Sequence, residues 1–109
     1  MCGIYGSTIP YSDSIVFEKM NRIKFRGPDF TGIQRYENVV LAHNRLAIID
    51  LDIRSNQPFT YQHLNIVFNG EIYNYKEIRK DLEQKKYHLR TNSDTEVICA
   101  SYLEYGKDC

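Results

Sequence analysis

Cys2 stands directly behind Met1 and before Gly3. Removal of an initiator methionine is favoured when a small residue follows, and here it would leave one residue carrying both a thiol and a free α-amino group. Their ordinary pKa values are about 8.5 and about 8. A neutral amine that close can take the thiol proton, directly or through a water, so nucleophile and base share one residue. Gly3 lets a substrate or another backbone approach closely. Three further segments carry residues that could serve such a nucleophile. In Phe68-Asn69-Gly70-Glu71, an Asn amide and a following Gly N–H can both aim donors at a developing oxyanion. Arg45 closes the run Val39–Asn44, and Arg is the best side chain for bidentate capture of a carboxylate. Asp94 sits where it could anchor an ammonium group. Each also has a plainer reading: a buried second-position cysteine, an Asn-Gly turn, a surface ion-pair arginine, an acid favouring a helix dipole. His43, His63 and His88 show no metal-ligand spacing and read as structural or exposed.

These residues need elements to hold them. Residues 2–9, with Ile4 and Ile9 among small and aromatic neighbours, read as a strand. Ser12-Asp13-Ser14 offers helix caps ahead of Val16, Met20 and Ile23 at helical spacing. That helix should stop near Phe25, before the turn signal Arg26-Gly27-Pro28-Asp29. A strand pair over 31–36 and 39–48 follows, with Glu37-Asn38 as its turn. Residues 50–57 are polar and loop-like, closed by Pro58, and 65–69 read as a short strand running into Asn69-Gly70. Asn74 and Glu77 have capping-box spacing ahead of Ile78 and Leu82; Ser93 and Glu96 repeat it ahead of a helix over 94–105 that Gly106 ends. Residues 76–90 hold six basic and three acidic side chains, which read as a solvated face. The order β α β β β α α predicts a mixed fold with an antiparallel sheet covered by helices.

Composition narrows the function. The 109 residues carry 14 Lys and Arg against 14 Asp and Glu, which argues against a nucleic-acid or anionic-membrane binder. The length allows one domain, and no apolar run approaches the ~20 residues of a membrane helix. Met1–Pro10 has no basic stretch or apolar core, so it is not read as a secretory signal, and no signal segment stands ahead of Cys2 to mark it for lipid attachment. The cysteines Cys2, Cys99 and Cys109 are odd in number and form no CxxC pair. A disulfide framework or zinc site is not expected, and a reducing cytoplasm is. The last two helices have few strands to face and the chain stops soon after them, so we expect a domain that continues further.

Taken together, Met1-Cys2-Gly3-Ile4, Arg26-Gly27-Pro28-Asp29, His43-Asn44-Arg45-Leu46-Ala47-Ile48-Ile49-Asp50, Asn69-Gly70-Glu71-Ile72-Tyr73-Asn74 and Ser93-Asp94-Thr95-Glu96 occur in that order. The sequence resembles the glutaminase domain of class II glutamine amidotransferases, which are N-terminal-nucleophile hydrolases. Its Arg-Gly-Pro-Asp and Arg-Leu-Ala-Ile-Ile-Asp forms are most similar to those of glutamine-dependent asparagine synthetases. The resemblance implies an α+β fold, an αββα sandwich incomplete on its C-terminal side. It implies that Cys2 attacks the glutamine amide, that Asn69 and Gly70 stabilise the oxyanion, that Arg45 holds the α-carboxylate, and that Asp94 with Glu71 holds the α-ammonium. It implies no metal or cofactor in this chain, with ATP and Mg belonging to a synthetase domain in a longer parent chain that converts aspartate to asparagine. It leaves a homodimer open. Two departures stand out: Asn44-Arg45 replaces a frequent basic pair, and the chain is shorter than the family's domain. A non-catalytic remnant that binds glutamine or a partner, and amide transfer to another acceptor, are the competing expectations.

Overall fold

The computed structural model describes all 109 residues, Met1–Cys109. The chain forms β1 (Gly3–Ser7), α1 (Asp13–Arg22), β2 (Phe30–Arg35), β3 (Val40–Arg45), β4 (Phe59–Tyr61), β5 (Leu64–Ile66), α2 (Tyr75–Gln84) and α3 (Asp94–Tyr105). Single 3-10 turns cover Lys24–Arg26, Ile53–Ser55 and Gly106–Asp108. This is a mixed α+β architecture. The strands form two separate antiparallel sheets: β1-β3-β2, and the short pair β4-β5.

β3 is the central strand of the first sheet, pairing Gly3 with Asn44 on one side and Phe30 with Arg45 on the other. Central position buries both of its faces, and the alternation of its side chains divides the work. Val40 and Ala42 pack with Val16 and Met20 of α1, and Tyr5, Ile23 and Ile33 close that core. Asn44 lies on the same face, where its amide donates to the Met20 carbonyl at 2.7 Å and its oxygen accepts from Thr31. His43 and Arg45 point the opposite way, toward the second half of the chain. There the sheet comes close to the segment entering β4: a Cβ on Gly32 would lie 2.2 Å from the Gln57 carbonyl oxygen. A second core, Phe59, Tyr61, Leu82, Val97, Cys99 and Ala100, joins α2 and α3 to β4 and β5.

Several expectations need correcting. β3 stops at Arg45, not at residue 48, because the ladder runs out: its partners β1 and β2 start at Gly3 and Phe30, opposite Asn44 and Arg45. The strand expected at 65–69 starts at Leu64 and ends at Ile66, and its partner β4 had no sequence signal; three residues are too few for periodicity. The Asn74 capping box does not form, since Asn74 lacks extended backbone (φ −96, ψ 19) and its side chain caps nothing. Ser93 does cap α3, accepting the Glu96 N–H at 3.3 Å, but Glu96 turns away to the preceding loop. The basic stretch is not wholly solvated. Arg79 turns in from α2 to donate to the carbonyls of Leu89 and Thr91, and pairs with Glu83. The Glu37-Asn38 turn is as expected, closed by Tyr36 N–H to the Val39 carbonyl at 2.8 Å. Gly106 ends α3 at φ 64, a conformation that favours glycine. No helix is long and apolar enough to cross a membrane.

Candidate active site

One cavity of about 240 Å³ lies where the two halves meet, and Cys2, Arg45, Asn69, Gly70, Glu71 and Asp94 all line it. The volume is below the roughly 300–1,000 Å³ of cavities that take drug-sized ligands and suits a single small metabolite. The residues come from four stretches of chain: the N-terminus, the end of β3, the link after β5, and the first turn of α3, with Met1 and the loop after β3 also on the wall.

Each is held by identifiable contacts. Cys2 is half-buried ahead of β1, and its Sγ accepts from the Leu46 N–H at 3.3 Å. The Arg26 guanidinium donates to the Cys2 carbonyl at 3.1 Å. The Arg26–Asp29 turn serves the same corner. Asp29 takes the Ala47 N–H at 2.8 Å, its own N–H binds the Arg45 carbonyl, and Gly27 lies so near that a Cβ there would sit 2.2 Å from the Asn44 oxygen. Thus the turn fixes the residues that flank the thiol.

Arg45 is buried, with 6% of its surface exposed. Its Nη1 donates to the Asp52 carbonyl and Asn56 Oδ1, and its Nη2 to the carbonyls of Ile49 and Asp50. Four of the five guanidinium N–H groups therefore organise the loop after β3, and only Nε–H is uncommitted. Asp94, also 6% exposed, accepts the Ile72 N–H on Oδ2 at 3.0 Å, while Oδ1 takes no protein donor. Glu71 is exposed at the cavity. One wall is thus cationic and another doubly acidic, the pattern that fixes a zwitterion's two ends. No group of three or more His, Cys, Asp or Glu side chains is arranged to hold a metal.

Four polar residues around this cavity, three of them buried, were not among the expected site residues, although His43, Asp50 and Glu96 lie inside the motifs. Asp50 (φ 47) accepts the Asn92 N–H at 2.7 Å, joining the Arg45 loop to the approach to α3. Burial pushes its carboxyl up, but the Asn92 N–H, other hydrogen bonds and the Arg54 charge outweigh that and hold it below its usual value. Gln57 accepts the Phe68 N–H at 2.6 Å and donates to Thr95 at 3.2 Å. His43, fully buried, bonds the Phe68 carbonyl through Nε2 at 3.2 Å; a carbonyl only accepts, so Nε2 carries the proton and Nδ1 is a bare, unpartnered acceptor. Burial pushes its pKa down to about 4; the Phe68 bond works against that and the Arg45 charge adds to it. Glu96, fully buried, accepts from Arg90 N–H, Thr91 N–H and the Thr91 hydroxyl, shaping the loop before Asp94.

A family model described as a glutamine amidotransferase domain matches residues 1–109. The chain is similar to asparagine synthetase [glutamine-hydrolyzing] 1 of Bacillus subtilis, 40% identical over 99% of this chain and 18% of that protein. It is 43% identical to asparagine synthetase [glutamine-hydrolyzing] of Asparagus officinalis and to asparagine synthetase [glutamine-hydrolyzing] 1 of Arabidopsis thaliana, in each case over 99% of this chain and 19% of the relative. The chain thus spans about a fifth of the length of these curated relatives. With the matched family covering every residue described above, the chain belongs to the glutamine amidotransferase domain family.

Proposed function

We propose that residues 1–109 are the N-terminal part of a glutaminase domain that hydrolyses glutamine through Cys2, and that the ammonia serves asparagine formation elsewhere in a longer chain. What carries the reading is the convergence of all six predicted residues on one cavity. With Met1 removed, the Cys2 α-amine takes the thiol proton and Sγ attacks the side-chain amide carbon of glutamine. The C=O electron pair moves onto oxygen, where the Asn69 amide and the Gly70 N–H donate to it. The oxyanion then collapses, the C–N bond breaks, and the α-ammonium returns its proton to the leaving nitrogen as ammonia. Water, losing a proton to the same amine, attacks the thioester; glutamate leaves and the thiol is restored. Arg45 through Nε and Asp94 through Oδ1, with Glu71, hold the substrate's charged ends, so the amide is delivered in a fixed orientation.

The layer order supports an αββα sandwich: α1 covers one face of β1-β3-β2, His43 and Gly32 on its other face meet the β4-β5 half, and α2 and α3 lie beyond. ATP and Mg belong, in this reading, to the further length of the relatives. The cavity does not suit a triphosphate, since its wall carries two carboxylates and its arginine is largely engaged. Glutamate release from glutamine by the protein expressed from its own gene tests the proposal, with intact mass reporting Met1 removal. We expect a processed N-terminus, activity, and none in Cys2→Ala. Retained Met1 overturns it in favour of a binding remnant, and full activity in Cys2→Ala overturns the role of Cys2 as nucleophile.

A further inference from the structure

Asn69 and Gly70 sit on irregular backbone. β5 ends at Ile66, so Phe68, just before them, has no strand ladder for its N–H or carbonyl. Buried backbone polar groups need partners, and here two buried side chains supply them. Gln57, 7% exposed, accepts the Phe68 N–H at 2.6 Å, and His43 donates to the Phe68 carbonyl at 3.2 Å. The Phe68 ring in turn lies against Gly70, close enough that a Cβ on Gly70 would be 2.6 Å from Phe68 Cζ. The Phe68 ring is therefore packed directly against the Gly70 backbone. Gln57 spends its other end on Thr95 Oγ1 at 3.2 Å, in the first turn of α3. Four residues downstream of Phe68, the Ile72 N–H is taken by Asp94 in that same turn. The segment bearing the two donors is pinned on both sides to one turn of helix.

We propose that Gln57 is a positioning residue that sets the oxyanion donors Asn69 and Gly70 by tying Phe68 to Thr95. The inference rests on the glutaminase reading above. Gln57 acts through Phe68, so its loss should misplace the donors while leaving Arg45 and Asp94 to bind the substrate ends. A misplacement of about 1 Å costs on the order of 10²-fold in rate.

The experiment measures glutamine hydrolysis by the protein expressed from its own gene, for Gln57→Leu, Thr95→Val and the double variant. We expect Gln57→Leu to lower kcat roughly 10–100-fold with KM within about threefold. Thr95→Val should shift kcat the same way by less, and the double variant should match Gln57→Leu, because both changes cut one tie. Unchanged kcat in Gln57→Leu, a KM rise equal to the kcat loss, or additive losses in the double variant would each overturn the proposal. If Gln57→Leu does not fold, Thr95→Val carries the test alone, since it only exchanges the hydroxyl for a methyl of similar size: a kcat loss at constant KM supports the tie, and an unchanged kcat overturns it. A wild-type protein without glutaminase activity would sink the underlying reading instead, so the two failures are distinguishable.

Discussion

Asp94→Asn isolates charge from geometry. The carboxylate does two separable things: Oδ2 accepts the Ile72 N–H at 3.0 Å, and Oδ1 takes no protein donor. Asn keeps an oxygen for Ile72, so the pinned segment should persist, and it removes the negative charge from a site only 6% exposed. A hydrogen bond to a charged group contributes about 1.5–3 kcal/mol against about 0.5–1.5 for a neutral pair. The difference, about 1–2 kcal/mol, corresponds to a KM for glutamine roughly 5–30-fold higher, with kcat within about threefold. Loss of the charge from the first turn of α3 should cost folding only about 0.3–1 kcal/mol. The assay is glutamate release across glutamine concentrations, paired with inhibition by glutaramate, which is glutamine without its α-amino group. Glutaramate should inhibit wild type and Asp94→Asn equally. An unchanged KM, or glutaramate inhibition weakened as much as glutamine binding, would refute an ammonium contact at Asp94.

Three other outcomes follow from the same contacts. Glu96→Ala strips a fully buried acceptor from the N–H groups of Arg90 and Thr91; two unpaired donors should cost about 2–6 kcal/mol in urea denaturation, and a loss under 1 kcal/mol would contradict this account of the loop. His43 resists protonation down to about 4, whereas an unfolded histidine protonates near 6.5. Its contribution is therefore present above pH 6.5 and lost as pH falls toward 4, by up to about 3 kcal/mol. Denaturation of His43→Gln at pH 7 and pH 4.5 should show a smaller acid loss than wild type, and an equal loss would refute this. Finally, burial and the Glu96 charge push the Cys99 thiol up to about 11, so iodoacetamide at pH 8 should label Cys2 and the exposed Cys109 well before Cys99; peptide mass spectrometry reads the order.

The elements legible in the sequence were those with long periodicity or a strong stop. α1 and α3 declare themselves through Val16, Met20 and Ile23 and through the Ser93 cap with Gly106 behind it. The β2–β3 hairpin follows from two apolar runs about a polar Glu37-Asn38. What the sequence concealed was set by partners far along the chain. β3 ends at Arg45 because its neighbours start there, although Leu46–Ile48 is as apolar as any strand. Glu96 abandons its capping box because Thr91 and Arg90 offer it three donors in the preceding loop.

The site divides the same way, for a physical reason. Residues that touch a substrate must have a particular chemical group, so Cys2, Arg45, Asn69, Gly70, Glu71 and Asp94, which the proposed function assigns to that task, are conspicuous by type and motif before any geometry is known. Residues that position them need only a donor or acceptor at the right place, which many side chains supply. Gln57 looked like one more polar loop residue, yet its partners Phe68 and Thr95 lie 11 and 38 positions away. His43 lay inside a recognised motif and still read as structural, because nothing in its neighbours announces Phe68, 25 positions on. Substrate-facing chemistry is therefore written locally, while the precision that makes it work is written in pairings between distant segments, and perturbing Gln57, whose side-chain hydrogen bonds reach 11 and 38 positions along the chain, tests that division most directly.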